Sequence, residues 1–257
     1  MDRQDEEARR RSPLRMSSMD RYVRQMIIPG FGEEGQRRLS GSTVGIMGVG
    51  GLGSPAATYL AAAGIGRLVL ADPQTPDDTN LNRQILHWDE DVHVRPKPES
   101  AAWKLRRLNP GIEVEARTVE VTEKNIEEVF RDADVLLDCL DSYPPRFVLN
   151  DHALRSSTPL VHAAVEGLRG QLTVVEKGRT PCLRCLLPSA PPKTAVFPIL
   201  GPVAGVFGCL QAAEAIKLLT GVGEPLRSSL LIGDLQYNSW DTISISPAEN
   251  CPACGKS

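Results

Sequence analysis

Four glycines within six residues, Gly48, Gly50, Gly51 and Gly53 of GVGGLG, and an acid nineteen positions further on, Asp72, are the first residues here whose types and spacing suggest chemistry. Glycine lets a backbone turn sharply and approach phosphate oxygens with no Cβ in the way, and the unpaired amides that open a helix offer donors to negative oxygens. Asp72 closes an apolar run at 67–71, where an acid can accept from a ribose hydroxyl. A ligand carrying a ribose and phosphates is expected there. The glycine spacing alone favours a dinucleotide and leaves the ligand open, down to a tight turn that binds nothing.

Cysteines form the second constellation. Cys182 and Cys185, and again Cys251 and Cys254, stand in CxxC pairs. Two such knuckles supply four thiolates, which suits a tetrahedral zinc ion closed to water, a structural site tying a proline-rich loop to the far end of the chain. A redox CxxC needs only one pair and leaves the other unexplained. Cys139 and Cys209 lie in apolar surroundings and read as buried thiols.

The elements that must position these groups follow from periodicity. An apolar run at 44–49 predicts a buried parallel strand, and the small, apolar residues at 52–63 predict a helix. Residues 73–84 are too polar for a strand and too rich in proline for a helix start, so they form a loop at a strand's C-terminal end that brings Asn80 and Arg83 to the site. A helix over 99–109, introduced by Lys97 and Pro98, sets Ala101, Ala102, Leu105 and Leu108 on one face and Lys104, Arg106 and Arg107 elsewhere.

A strand at 112–121, a short helix at 123–130 and a strand at 133–137 come next, and the last runs into Asp138-Cys139-Leu140-Asp141. Asp141 thus sits at a strand's C-terminal end, with helix capping as the alternative use of that acid. Four βα repeats by residue 155 predict an α/β fold with a doubly wound, mostly parallel, Rossmann-like sheet. Further strands are expected at 159–164 and 170–176, the latter antiparallel with one wetter face, then at 230–234 and 242–245. Between them, six prolines make 181–202 a long loop, and 202–219 reads as a buried helix with Gly221 just beyond it.

With 257 residues the chain can hold one large domain or two small ones. Its 29 Lys and Arg against 32 Asp and Glu give a net charge of −3, which points away from a nucleic-acid partner. No uninterrupted apolar stretch reaches the length of a membrane span and no signal peptide is evident, so a cytoplasmic protein without membrane association is expected. A reducing compartment also favours thiols or metal ligands over disulfides. Residues 1–19 lack apolar content and period and read as a disordered extension, with Met16 and Met19 as alternative starts. Residues 21–27 and 35–39 look helical. Arg21 and Arg24 share a face at i, i+3, where the ordinary fate of an arginine is a solvated surface.

Taken together, GVGGLG at 48–53, NLNRQ at 80–84, PKPES at 96–100, DCLD at 138–141, GCLQAAEAIKLLTG at 208–221, RYVRQMIIPGFGEEGQ at 21–36 and the two CxxC pairs resemble the MoeB/ThiF/HesA family, prokaryotic relatives of the ubiquitin-activating enzymes. The resemblance covers about 20–255. It implies a single adenylation domain over 20–257, with a nucleotide-binding half at 20–165 and a carrier-binding and zinc half at 166–257.

The activity it implies is ATP-dependent adenylation of the C-terminal glycine of a ubiquitin-like sulfur-carrier protein, for molybdopterin, thiamine or related sulfur transfer. By the same match Arg83 and Lys97 clamp the triphosphate, Asn80 and Gln84 orient it, Asp141 holds Mg²⁺ and Asp72 holds the ribose. Arg24 matches an arginine supplied by the neighbouring subunit of a homodimer, and the loop at 186–200 would cover the glycine tail. Three positions depart from the pattern. Thr194 stands where thioester-forming relatives carry cysteine, so adenylation without a covalent cysteine intermediate is expected. Gln74 replaces a second acid, and the glycine usual before the lysine is missing from Val92-His93-Val94-Arg95. An NAD-dependent oxidoreductase and a non-catalytic carrier-binding relative are the alternatives, the first resting on the glycine fingerprint with Asp72 and the second on Gln74 and Thr194.

Overall fold

Near-continuous apolar runs give the central parallel strands two buried faces. The computed structural model describes residues 19–189 and 198–255, so all but the last residue of the extension expected over 1–19, most of the loop expected to cover the glycine tail, and the Thr194 position lie outside the described residues. Eight strands form one sheet: β1 (Thr43–Met47), β2 (Arg67–Ala71), β3 (Glu113–Arg117), β4 (Val135–Asp138), β5 (Leu160–Glu166), β6 (Arg169–Val175), β7 (Ser229–Asp234) and β8 (Ser239–Ser244). Their order is β3-β2-β1-β4-β5-β6-β7-β8. The first five pair in parallel, and β6, β7 and β8 add antiparallel ribs. This is the expected doubly wound sheet with an antiparallel extension.

The helices are α1 (Val23–Met26), α2 (Gly32–Ser40), α3 (Gly53–Ala63), α4 (Lys97–Leu108), α5 (Ile126–Phe130), α6 (Tyr143–Ser156), α7 (Leu183–Leu186) and α8 (Gly201–Thr220). Val44, Ile46, Leu68, Leu70 and Leu137 face one core, with Leu60, Leu105 and Phe207. Met47, Val69, Leu136 and Leu160 face the other, with Phe130, Phe147 and Leu149. Period-two alternation along strands covered on both faces produces this division.

Several expectations change in detail. The strand expected over 112–121 pairs only with β2 and ends at Arg117. The antiparallel β6 has the expected wetter face only at its start, where Arg169 is exposed and Gln171 half-buried opposite the buried Gly170, Leu172 and Val174; further along that face Thr173 is buried and donates to the Ser229 carbonyl. α8 is long and apolar enough to cross a membrane, with a mean hydropathy of 1.4, where no such stretch was anticipated. It instead packs on α3 and on β5 and β6. Gly208 permits this, because a Cβ there would collide with the Leu52 carbonyl and Pro55.

The order in which the parallel strands are added reverses between β1 and β4. Strands β2 and β3 lie to one side of β1 and β4 and β5 to the other, so the loops leaving β1 and β4 open a crevice at their carboxyl ends.

Candidate functional site

The glycine turn leaves β1 at this crevice. Gly48 has φ +93, and a Cβ there would stand 2.6 Å from the Cys139 carbonyl oxygen that follows β4. The turn and the Asp138–Asp141 segment therefore meet backbone to backbone. A Cβ at Gly53 would run into the Gly48 carbonyl, so that glycine keeps α3 close behind the turn. Gly50 faces the Gln84 amide and Gly51 faces Ala204 and the Arg83 stem.

Asp72 is 7% exposed. Its Oδ2 accepts from the Val49 amide at 2.8 Å and its Oδ1 from the Gln74 amide at 2.9 Å, which ties the end of β2 to the turn. Burial raises its pKa, and the nearby Lys97 opposes that rise. Lys97 opens α4 and is 3% exposed. Its ammonium donates to Gln74 Oε1 at 2.7 Å, so the residue standing in place of an acid gives the lysine a neutral partner. Burial lowers the Lys97 pKa, while Asp72, Asp141 and Asp77 raise it and Arg83 lowers it further. These side chains thus act on one another from two loops and the start of α4.

Arg83 donates to the Thr79 carbonyl at 2.8 Å and to Asn82 Oδ1 at 3.0 Å. Asn80 is buried and donates to Asp77 Oδ1 at 2.7 Å. Gln84 is buried too, and among the described residues its Oε1 has no hydrogen-bond partner. A buried acceptor left unpaired costs about 1–3 kcal/mol, which a donor on a ligand would relieve. Asp141 is exposed just ahead of α6. It does not cap that helix, whose N-cap residue is Ser142. Arg24 stands apart, exposed on α1 between Val23, Ile27 and Ile28, which are also exposed. Among the described residues of this chain it is not one of the main charges that act on Lys97 or Asp72.

Two buried networks behind the crevice were not foreseen. In the first, Asp138 Oδ2 accepts from Arg146 Nη1 at 3.1 Å and meets His162 Nδ1 at 2.7 Å, while Gln211 Nε2 donates to the Asp138 carbonyl at 2.8 Å. Against the burial that raises it, Arg146 and His162 hold the Asp138 carboxyl below its ordinary value. The only hint in the sequence was an acid ending an apolar strand, since a buried carboxylate needs a cation. In the second, Lys104, assigned to a face away from the core, is buried and pairs with Asp91 beside Ser100 and His87.

The four knuckle cysteines converge. Their sulfurs all lie within 4.8 Å of one another, with Cys182–Cys251 at 3.6 Å and Cys185–Cys254 at 3.2 Å. A tetrahedron of thiolates about 2.3 Å from a zinc ion would space them about 3.8 Å apart, so the set fits such an ion. Burial pushes the Cys182 thiol up and Cys254 up to about 11, so a cation is needed to keep the four ionised together. Arg184 clamps Asp151 of α6 and stacks over Phe147, holding the knuckle against the helix that follows Asp141. All six cysteines are free of disulfides.

Comparison with known proteins converges on one family. The family described as the ThiF family matches residues 22–253. The SAMP-activating enzyme E1 of Haloferax volcanii is 43% identical over 249 residues, covering 95% of this chain and 91% of its own. The sulfur carrier protein adenylyltransferase of Thermus thermophilus is 40% identical over 249 residues, covering 92% and 91%. Among solved structures, E. coli MccB with ATP superposes with a TM-score of 0.75 at 25% identity, covering 86% of this chain and 68% of that one.

Proposed function

This chain belongs to the ThiF family, and we propose that it adenylates the C-terminal glycine of a ubiquitin-like sulfur-carrier protein with ATP, forming an acyl-adenylate and releasing pyrophosphate. The observation that carries the reading is the buried Lys97 ammonium, held by a neutral amide and sharing the crevice with Arg83, Asp72 and Asp141.

The chemistry follows from charge. A C-terminal carboxylate has a pKa near 3.3–3.7 and is ionised at neutral pH, so the reaction needs no general base. It needs cancelled charge, because one anion must attack another at the α-phosphorus. Lys97 and Arg83 bring positive charge to the phosphates and the free amides of the glycine turn add donors; Lys97, being buried, acts more strongly than a solvated charge would. Asp72 takes the ribose hydroxyls, and Asn80 with the unpartnered Gln84 oxygen orients the nucleotide. Asp141, exposed and uncommitted to a cap, would hold Mg²⁺, which supplies further neutralisation of the phosphates. The cysteine cluster would hold zinc and serve the fold.

Arg24 completes the site of a partner subunit in a homodimer. The supporting observation is the exposed apolar ground around it: Val23, Ile27, Ile28 and Tyr59, next to a groove of about 330 Å³ lined by Cys209, Ala213 and Ile216. The glycine turn and Asp72 would also suit a nicotinamide dinucleotide, but the named relatives are activating enzymes and adenylyltransferases, which favours adenylation. The test is carrier-dependent exchange of labelled pyrophosphate into ATP. Exchange with a glycine-tailed carrier and none with a carrier lacking its last glycine is expected, and no exchange with any such carrier would remove the reading.

A further inference from the structure

Between β1 and α3 both backbone polar groups of Val49, which belong to successive peptides, are held. Its N–H goes to Asp72 Oδ2 at 2.8 Å, and its carbonyl oxygen lies 2.7 Å from His87 Nε2. A carbonyl can only accept, so His87 Nε2 carries a proton. In a trans, planar peptide the Val49 C=O and the Gly50 N–H point in opposite directions. Fixing the oxygen on His87 therefore aims the Gly50 amide the other way. Among the described residues no hydrogen-bond acceptor meets the Gly50 or Gly51 amide.

The other side of the imidazole fixes its tautomer. Nδ1 lies 3.0 Å from Ser100 Oγ. The ring is buried with Lys97 and Lys104 nearby, and burial lowers its pKa to about 4, so it is neutral and Nδ1 is a bare acceptor. Ser100 Oγ also lies 2.9 Å from Asp91 Oδ2 and 3.1 Å from the Leu86 carbonyl, but Lys104 donates to both of these, so the one hydroxyl proton of Ser100 is assigned to Nδ1. The three Lys104 protons then meet the Leu86 carbonyl, Ser100 Oγ and Asp91 Oδ2, and Asp91 also takes the Trp88 amide at 2.9 Å and Arg95 at 2.7 Å. Every proton in the chain of contacts has one acceptor. Ser100 and Lys104 sit one and two turns along α4 from Lys97, so His87 braces the glycine turn directly against the helix whose first residue is that lysine.

We propose that His87 is a positioning residue for the nucleotide: a neutral imidazole that, by donating from Nε2 to Val49, aims the Gly50 amide at a phosphate and fixes the turn relative to Lys97. The inference rests on the adenylation reading for the identity of the ligand as ATP. It concerns binding rather than turnover.

The experiment is calorimetric titration of ATP into the parent, His87→Gln and His87→Leu proteins, with the unfolding midpoint of each. Glutamine keeps an N–H donor near the Nε2 position, and leucine fills the space without one. His87→Leu is expected to weaken ATP binding about tenfold, the scale of one lost hydrogen bond at a buried acceptor, with His87→Gln within about threefold of the parent. Parental affinity in both variants would overturn the proposal, and so would equal weakening in both, which would assign the effect to packing. Should His87→Leu fail to fold, nitrogen NMR of the parent decides: a protonated Nε2 with a bare Nδ1 supports the proposal, and the reverse tautomer or an imidazolium at pH 7 overturns it. Failure of pyrophosphate exchange in a parent that binds ATP would sink the adenylation reading while leaving the affinity ratio to judge His87.

Discussion

Arg146 Nη1 donates to Asp138 Oδ2 at 3.1 Å with both side chains closed to solvent, beneath the loop that carries Asp141. The same guanidinium nitrogen donates to the Ala163 carbonyl at 2.6 Å, and its companion nitrogen reaches the Leu140 carbonyl. One arginine thereby joins β4, β5 and the loop after Asp138. Replacing it by methionine leaves a carboxylate buried without its main cation, a change that costs about 3–5 kcal/mol. Arg146→Met is expected to lower the unfolding free energy obtained from urea titration by that amount. Asp138→Asn with Arg146→Met together should lose less than the sum of the two single changes, and additive losses would show that the pair is not coupled.

Stability should fall with acid in a defined window. Burial lowers the pKa of His87 to about 4, and it lowers His152 and His162 as well. Each binds its proton more readily unfolded, near pH 6.5, than folded, so their contribution is complete above that pH and is lost as the pH falls toward the folded value. From His87 alone the loss between pH 7 and pH 5 is about 2 kcal/mol. Asp72, raised by burial, works in the opposite direction. Urea titrations at the two pH values check this, and a flat profile would contradict it.

Much of the site was legible in the residues, and the reasons for the rest are physical. GVGGLG, Asp72 and Asp141 announce themselves because a turn, a strand end and an acid are local features that each leave a mark in sequence. The brace made by His87, Asp91, Ser100 and Lys104 leaves none, since a lysine on a helix reads as solvated until a loop 13 residues earlier is seen to deliver Asp91 beneath it. Arg146, His162 and Gln211 were hidden for the same reason: three elements meet at Asp138, and no spacing along the chain encodes that meeting. α8 was legible as buried, whereas its fit against α3 depends on the missing side chain of Gly208.

Metal loss should loosen one corner of the fold. Cys182→Ser removes one of four sulfurs that lie within 4.8 Å of one another. The parent is expected to hold one zinc per chain and the variant none, with faster amide exchange at residues 251–255, because a closed four-ligand site adds its binding energy to folding. One retained equivalent in the variant, measured by elemental analysis, would contradict this.

If Arg24 serves the neighbouring subunit, two inactive proteins can repair each other. Arg24→Ala and Lys97→Met chains, unfolded together and refolded as a mixture, would form mixed dimers with one intact site. Random pairing gives about a quarter of the parental exchange rate for a two-fold symmetric dimer. Recovery of that activity supports a shared site, whereas a mixture as inactive as its parts places Arg24 in its own subunit's site or in none.

The reading as a whole depends on Lys97 and Arg83 cancelling phosphate charge, and the most direct measurement is carrier-dependent pyrophosphate exchange by Lys97→Met and Arg83→Ala proteins that remain folded and metal-loaded. Each is expected to lose at least about 100-fold in rate, the scale of one lost group that stabilises charge at the reacting centre. Exchange at the parental rate in both would contradict the account.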